Sequence, residues 1–329
     1  MQRVGLGPCL GPSITHGSSM SSPALYLIAA AALACSAWVH AEPLPVHLHD
    51  TGLGEARNLA FSPQYPLWSD GAHKRRWIYL PPGTAIDASR ADAWQFPPGT
   101  RLWKEFSLDD GPVETRFIER LTDGTWRYAA YVWNEDGTDA TLAPTDGIAA
   151  LANRDGYSIP SESDCRACHE SAAVPVLGFS ALQLSSDRDP LAPHADSGTH
   201  IDLDELVARG LIRNLPLNAT RPRIDASSPI ERAALGYLHG NCGHCHNDTE
   251  TRVPVDLMLA QSVARDPTHS HRVVHSLIAV GDRFLARVSS RNPQRQMPPL
   301  GTRLIDTEAL ALLERWISEK SSKAEELQP

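Results

Sequence analysis

Methionine is scarce in this chain of 329 residues: there are four, and two of them, Met1 and Met20, lie in the first 41 positions. Cysteine is scarce too, with six in all, and Cys9 and Cys35 fall in the same N-terminal stretch. Basic residues are outnumbered, 30 against 39 acidic, for a formal net charge of -9. That deficit excludes the basic footprint of a nucleic-acid binder, and no nucleic-acid partner is expected. The apolar run Ala24–Val39 has 16 residues, short of the roughly 20 that a membrane span needs. The balance of 42% hydrophobic and 21% charged residues excludes a fully disordered chain. At about 150 residues per domain, the length suggests two domains.

Ala24–Val39 suits the apolar core of a secretion signal, with Val39-His40-Ala41 as a small-residue cleavage site before Glu42. Arg3 is the one Lys or Arg before residue 57, and a start at Met20 would leave the stretch without any. A buried helix, an uncleaved anchor and a lipid anchor on Cys35, behind Ala32-Leu33-Ala34, are the competing readings. The expectation is an exported protein, periplasmic or cell-surface, with residues 1–41 removed and no membrane span after cleavage. The mature chain then keeps four cysteines: Cys165, Cys168, Cys242 and Cys245.

Residues 42 to about 60 read as a linker with Pro43, Pro45, Gly52 and Gly54. From Phe61 to Ala143 the texture is β. Six of the eight tryptophans lie here: Trp68, Trp77, Trp94, Trp103, Trp126 and Trp133. Apolar and polar residues alternate over Arg75–Leu80, Arg101–Phe106 and Trp126–Trp133. Turn formers separate the runs: Pro81-Pro82-Gly83, Pro97-Pro98-Gly99, Asp109-Asp110-Gly111 and Asp123-Gly124. Short period-two strands split by such turns predict an antiparallel sheet or small sandwich. After about residue 145 helix signals take over. Ser228-Pro229-Ile230-Glu231 is a capping box with proline at the first helical position. Ile230, Ala233, Ala234, Tyr237 and Leu238 then share one face of a helix that runs into Cys242. Asp306 or Thr307 caps a second helix, with Leu310, Leu313, Trp316 and Ile317 on one face. The polar end, 321–329, is expected to fray.

One five-residue motif occurs twice, as Cys165-Arg166-Ala167-Cys168-His169 and Cys242-Gly243-His244-Cys245-His246. Two thiols three positions apart on a helical turn reach the two vinyl groups of one haem, and the next histidine turns its imidazole toward the iron. This is the c-type attachment pattern. One chance match is expected about 0.005 times from this composition and two roughly 10⁻⁵ times, so accident explains the pair poorly. Zinc knuckles would want their cysteine pairs about 12–20 residues apart, and here about seventy intervene. A dithiol redox motif explains neither the second copy nor the histidines, and a disulfide within each pair would be strained. The expected cofactors are two covalently bound haem c groups, with His169 and His246 as proximal iron ligands.

A low-spin electron carrier usually supplies Met or His opposite the proximal histidine. Met258, in Leu257-Met258-Leu259, reads as core. Met297 stands in Gln296-Met297-Pro298-Pro299-Leu300-Gly301, 51 residues after His246, where prolines stiffen the loop; it is expected to ligate the second haem. No methionine remains for the first. A histidine fills that position or the iron is open; His194, His200, His239, His244, His269, His271 and His275 are the candidates, and sequence does not choose among them. Arg287, Arg291 or Arg295 are candidates to pair with haem propionates, with solvated surface charge the competing reading.

Ile230–Trp316 resembles a class I cytochrome c: a helix entering Asn241-Cys242-Gly243-His244-Cys245-His246, a Met297-Pro298-Pro299 loop, and a final helix ending Leu312-Leu313-Glu314-Arg315-Trp316-Ile317. The mature chain as a whole is similar to a bacterial family of dihaem c-type cytochromes with an N-terminal β-rich region. Tyr65-Pro66-Leu67-Trp68-Ser69-Asp70-Gly71, Phe96-Pro97-Pro98-Gly99-Thr100, Tyr131-Val132-Trp133-Asn134-Glu135 and Leu177-Gly178-Phe179 carry that likeness. It implies haem binding and export but no substrate. The segment from about 160 to 225 departs from class I, with neither a clear preceding helix nor a Met-Pro loop. The expected fold is α+β and multidomain: an antiparallel β domain over 42–150, then an α-helical cytochrome c region carrying two haems, with the first haem segment at 151–225, a class I-like domain at 226–320 and a tail at 321–329.

Three functions fit these residues. The leading one is a periplasmic dihaem electron carrier, whose acidic balance favours a redox partner with a basic docking patch. The second is a dihaem peroxidase-like enzyme with one open haem site, though no distal acid–base pair stands out. In the third, the β domain binds a sugar or a protein through its tryptophans and carries the cytochrome as redox cargo; tryptophans at alternating strand positions are more often core.

Overall fold

The computed structural model describes residues 42–152, 154, 156–196, 198, 200–249, 255–264 and 269–326. The expected leader, with Cys9, Cys35 and the cleavage site, lies outside the described residues. Seven strands come first: β1 (Leu59–Ala60), β2 (His73–Tyr79), β3 (Ile86–Asp87), β4 (Arg101–Leu108), β5 (Gly111–Arg120), β6 (Trp126–Trp133) and β7 (Ala140–Leu142). Six of them form one antiparallel sheet in the order β1-β2-β4-β5-β6-β7. The turn residues sit where the alternation predicts. Gly124, between β5 and β6, takes φ 86°, a left-handed conformation that glycine adopts without steric cost.

Alternation gives the sheet two buried faces. Trp103, Phe117, Ala129 and Tyr131 form one core with Leu48, from the segment that precedes the sheet. The opposite face carries Ile78, Leu102, Ile118 and Tyr128, which pack with Phe179, Leu184, Leu203, Leu206 and Ile212. The β region and the segment bearing the first motif therefore share a core. Two contacts show how. The short strand β3 pairs in parallel with β8 (Ile212–Arg213), Ile86 opposite Ile212. Phe179 meets Phe61 edge-on, with ring centroids 4.8 Å apart.

The helices are α1 (Glu162–His169), α2 (Leu203–Ala208), α3 (Pro229–Asn241), α4 (His269–Ile278), α5 (Gly281–Val288) and α6 (Thr307–Glu326). Leu235, Leu238, Val273, Leu277, Phe284, Leu313 and Trp316 build a second core between α3, α4, α5 and α6. The start of α3 follows the capping signal: Ser228 Oγ accepts from the Glu231 amide at 3.1 Å. The Glu231 carboxylate accepts from the Ser227 amide at 2.9 Å and also from Trp316 Nε1 at 3.0 Å, with Lys320 against it. One buried carboxylate thus caps α3 and ties it to α6. Asp306 caps α6 by accepting from the Ala309 amide at 3.1 Å, and α6 continues to Glu326, past the point where the polar tail begins.

The segment Tyr65–Gly71 lies directly on α3. A Cβ at Gly236 would stand 1.9 Å from the Tyr65 ring, and one at Gly240 would stand 2.3 Å from the Tyr65 carbonyl oxygen. Only glycine permits that approach, one helical turn apart on the same face. Asn241 completes the seam, accepting from the Trp68 amide at 2.6 Å and donating to the Pro66 carbonyl at 3.2 Å.

Candidate functional site

The first motif is built on α1. Ser161 Oγ accepts from the Asp164 amide at 3.1 Å and the Ser161 amide donates to Asp164 Oδ2 at 3.0 Å, a reciprocal cap that satisfies two free donors of the first turn. Ser161-Glu162-Ser163-Asp164 was the signal for this helix that the sequence reading missed. Helical spacing puts Cys165 and Cys168 on one side, with His169 at the last helical position. His169 Nδ1 lies 2.5 Å from the Pro175 carbonyl oxygen. A carbonyl only accepts, so Nδ1 carries the hydrogen and Nε2 keeps its lone pair for a metal.

The second motif continues α3 as a single turn: the Cys242 amide donates to the Leu238 carbonyl at 2.8 Å and the His246 amide to the Cys242 carbonyl at 2.9 Å. The His246 carbonyl accepts from the Leu259 and Ala260 amides at 2.9 and 3.2 Å, which lays residues 257–260 across the motif. Asn247 joins the two motifs, its Nδ2 donating to the Ser171 and Gly243 carbonyls, both at 3.0 Å.

Both motifs open on one cavity of about 1310 Å³, more than the roughly 300–1,000 Å³ of a site for one small ligand. Cys165, Cys168, His169, Cys242, Cys245, His246 and Met297 all line it. Met297 is held in place by its amide, which donates to the Arg287 carbonyl at the end of α5 at 3.0 Å. Arg287 and Arg291 share that wall, whereas Arg295 is exposed and outside the cavity. The cavity also receives side chains from β2, β4 and β5, so the sheet forms one of its walls.

Electrostatics distinguish the thiols from exchange cysteines. All four are free. Burial pushes Cys165 and Cys168 up to about 11 and Cys242 up to about 12, and raises Cys245. A dithiol redox motif depends on a depressed thiol, the opposite of what these surroundings produce. Burial also pulls His169 down to about 4, against the opposing pull of the Pro175 carbonyl, and lowers His246. Both imidazoles are neutral at neutral pH, the form that binds a metal.

Of the candidate distal histidines, His244 lines the cavity and the other six do not. His194 is held by Asp306 at 2.9 Å and its ring lies tilted against Trp68, centroids 4.8 Å apart; His200 is bonded to Asp196 at 2.8 Å. His239 Nδ1 accepts from the Gln261 amide at 3.0 Å, and His269 Nε2 lies 2.8 Å from the Ala260 carbonyl. His271 and His275 are exposed. Met258 packs against the second core. Among the described residues Trp94, Trp103 and Trp126 are core, and Trp68, Trp77 and Trp133 are partly buried. His47, His49 and Asp139 form an exposed group whose polar atoms bond one another, His47 to Asp139 at 2.9 Å. No helix among the described residues is long and apolar enough to cross a membrane. No family model, no curated protein and no solved structure matches the chain.

Proposed function

We propose that this protein is a dihaem c-type cytochrome that transfers electrons outside the cytoplasm, in the periplasm or at the cell surface. One observation carries the reading: two attachment motifs about seventy residues apart, and Met297, 51 residues past the second, open on the same cavity. The residues fit the group. Four protonated, unpaired thiols suit thioether formation with vinyl groups, two neutral imidazoles suit iron, and His169 has Nδ1 bonded to a carbonyl and no hydrogen bond at Nε2 among the described residues. Haem supplies a one-electron iron couple when bound.

The chain's own residues would do the rest. Cys165 and Cys168 would hold the first group, Cys242 and Cys245 the second, with His169 and His246 as proximal ligands and Met297 as the distal ligand of the second. The Pro175 carbonyl fixes the tautomer of His169 and raises its donor strength. The lining is largely apolar, and Arg287 and Arg291 supply positive charge on the wall that carries Met297. The acidic balance, a formal net charge of -9 for the full chain, favours a redox partner that docks through a basic patch. Optical and electron paramagnetic resonance spectra of natively matured protein test the reading. Two low-spin haems per chain, one with methionine ligation, are expected. A high-spin ferric signal that responds to cyanide or peroxide would move the assignment to a peroxidase-like enzyme with an open first site.

A further inference from the structure

Three cations stand in a row across the sheet. Arg76 on β2 lies directly opposite Lys104 on β4, and Lys104 directly opposite Arg116 on β5. All three line the cavity, and Lys104 and Arg116 both act electrostatically on Cys168 and His169. Like charges directly opposite one another destabilise a sheet, and a buried cation without a counter-charge is costly. Arg116 has its partner, with Nη2 2.7 Å from Glu114 Oε1. Arg76 and Lys104 have no side-chain hydrogen bond or ion pair among the described residues, although Arg76 is only 8% exposed. The neighbouring carboxylates are taken. Glu114 also accepts from Tyr157 at 2.7 Å, and Asp196, the acid acting on Arg76, is bonded to His200 and the Gly198 amide, each at 2.8 Å. Burial holds Arg76 down to about 10 and Lys104 well below the ordinary lysine range. Lys104 lies over the Phe106 ring, its Nζ 4.7 Å from the centroid, a contact that brings no negative charge; anions entering from the cavity would supply it.

We infer that Arg76 and Lys104, backed by Arg116, are the seat of the carboxylates of the tetrapyrrole joined at Cys165 and Cys168. This rests on the dihaem reading above. An arginine fork matches a carboxylate in two parallel bonds, and a lysine beside it serves as a point charge. Positive charge at this position also disfavours the oxidised, more positive iron, so the row would hold the first haem at a raised potential.

The test uses natively matured protein with Arg76→Gln, Lys104→Gln and Lys104→Arg, and the exposed Arg90→Gln as control. Haem content per chain is read from the alkaline pyridine spectrum, and each haem's potential by spectroelectrochemistry. Both Gln variants should keep two haems and lower the potential of one of them, shifting its reduced-to-oxidised ratio about tenfold, or 59 mV for a one-electron couple. Lys104→Arg and Arg90→Gln should leave both potentials in place. Two haems with both potentials unchanged in the Gln variants would overturn the proposal while leaving the dihaem reading standing. A saturable shift of the wild-type potential with added acetate, lost in Arg76→Gln, would assign the row to free anions instead. A high-spin signal in Lys104→Gln would make Lys104 an iron ligand and remove it from the seat. Wild-type protein without haem would sink both the proposal and the reading beneath it.

Discussion

Replacing Gly240 by alanine sets two effects of known size against each other. Gly240 lies in the last turn of α3, where helix propensity alone favours alanine by about 1 kcal/mol. The new Cβ would stand 2.3 Å from the Tyr65 carbonyl oxygen and 3.1 Å from its carbon. That oxygen belongs to backbone with little room to move. The Tyr65 amide donates to Gln183 Oε1 at 3.0 Å, and the Tyr65 carbonyl accepts from Gln183 Nε2 at 3.2 Å. Overpacking of this kind costs about 1–3 kcal/mol, and each hydrogen bond lost as the segment shifts adds about 1 kcal/mol. The clash wins, and Gly240→Ala should destabilise by about 1–3 kcal/mol. At roughly 2–4 °C per kcal/mol for a domain of 150–250 residues, Tm should fall by several degrees. Thermal and urea unfolding of the haem-loaded protein, read at the same wavelength for both forms, check this. A Tm raised in the way helix propensity alone demands would refute the packing of Tyr65–Gly71 against α3.

Three further outcomes follow from the same contacts. Asn241→Leu leaves the Trp68 amide and the Pro66 carbonyl without their partner, at about 1–3 kcal/mol each where the group stays dry, so urea unfolding should show a loss of several kcal/mol. For Glu231, burial raises the carboxyl, but Lys320, the Ser227 amide and Trp316 outweigh it and hold the folded group below its ordinary value of 4.5. Stability from the α3–α6 tie is therefore complete above that value and lost as pH falls through the lower folded one. A series of melts below pH 5 should show a steeper decline for wild type than for Glu231→Gln, and parallel curves would contradict the assignment. On the dihaem proposal, Met297→Ala should turn the second haem high-spin and lower its potential while both haems stay attached; an unaltered optical spectrum would remove Met297 as a ligand.

The sequence made some elements legible because local chemistry decides them. β6 covers Trp126–Trp133 as the alternation predicts, and α3 begins at Pro229 behind Ser228, where the capping signal lies. The six-stranded antiparallel sheet and the helices after it match the α+β expectation. Other features depend on partners distant in the chain. β5 carries Glu114, Thr115 and Arg116 in its middle, the first two buried and the third partly so, and their polarity hides a central strand. β3 and β8 have two residues each and find one another across about 125 positions. Gly236 and Gly240 admit the close approach of Tyr65, which nothing in the sequence around them identifies. The two motifs and Met297 stand out in the sequence as candidates, and their meeting in one cavity does not. Of the three arginines named for the propionates, Arg287 and Arg291 line that cavity and Arg295 is exposed outside it.

The most direct measurement is the intact mass of the protein purified from its native host, under denaturing conditions that strip everything not covalently bound. The account predicts the mass of the polypeptide plus two porphyrins, with tryptic peptides containing Cys165–His169 and Cys242–His246 each carrying one. A polypeptide mass with four unmodified thiols would contradict it.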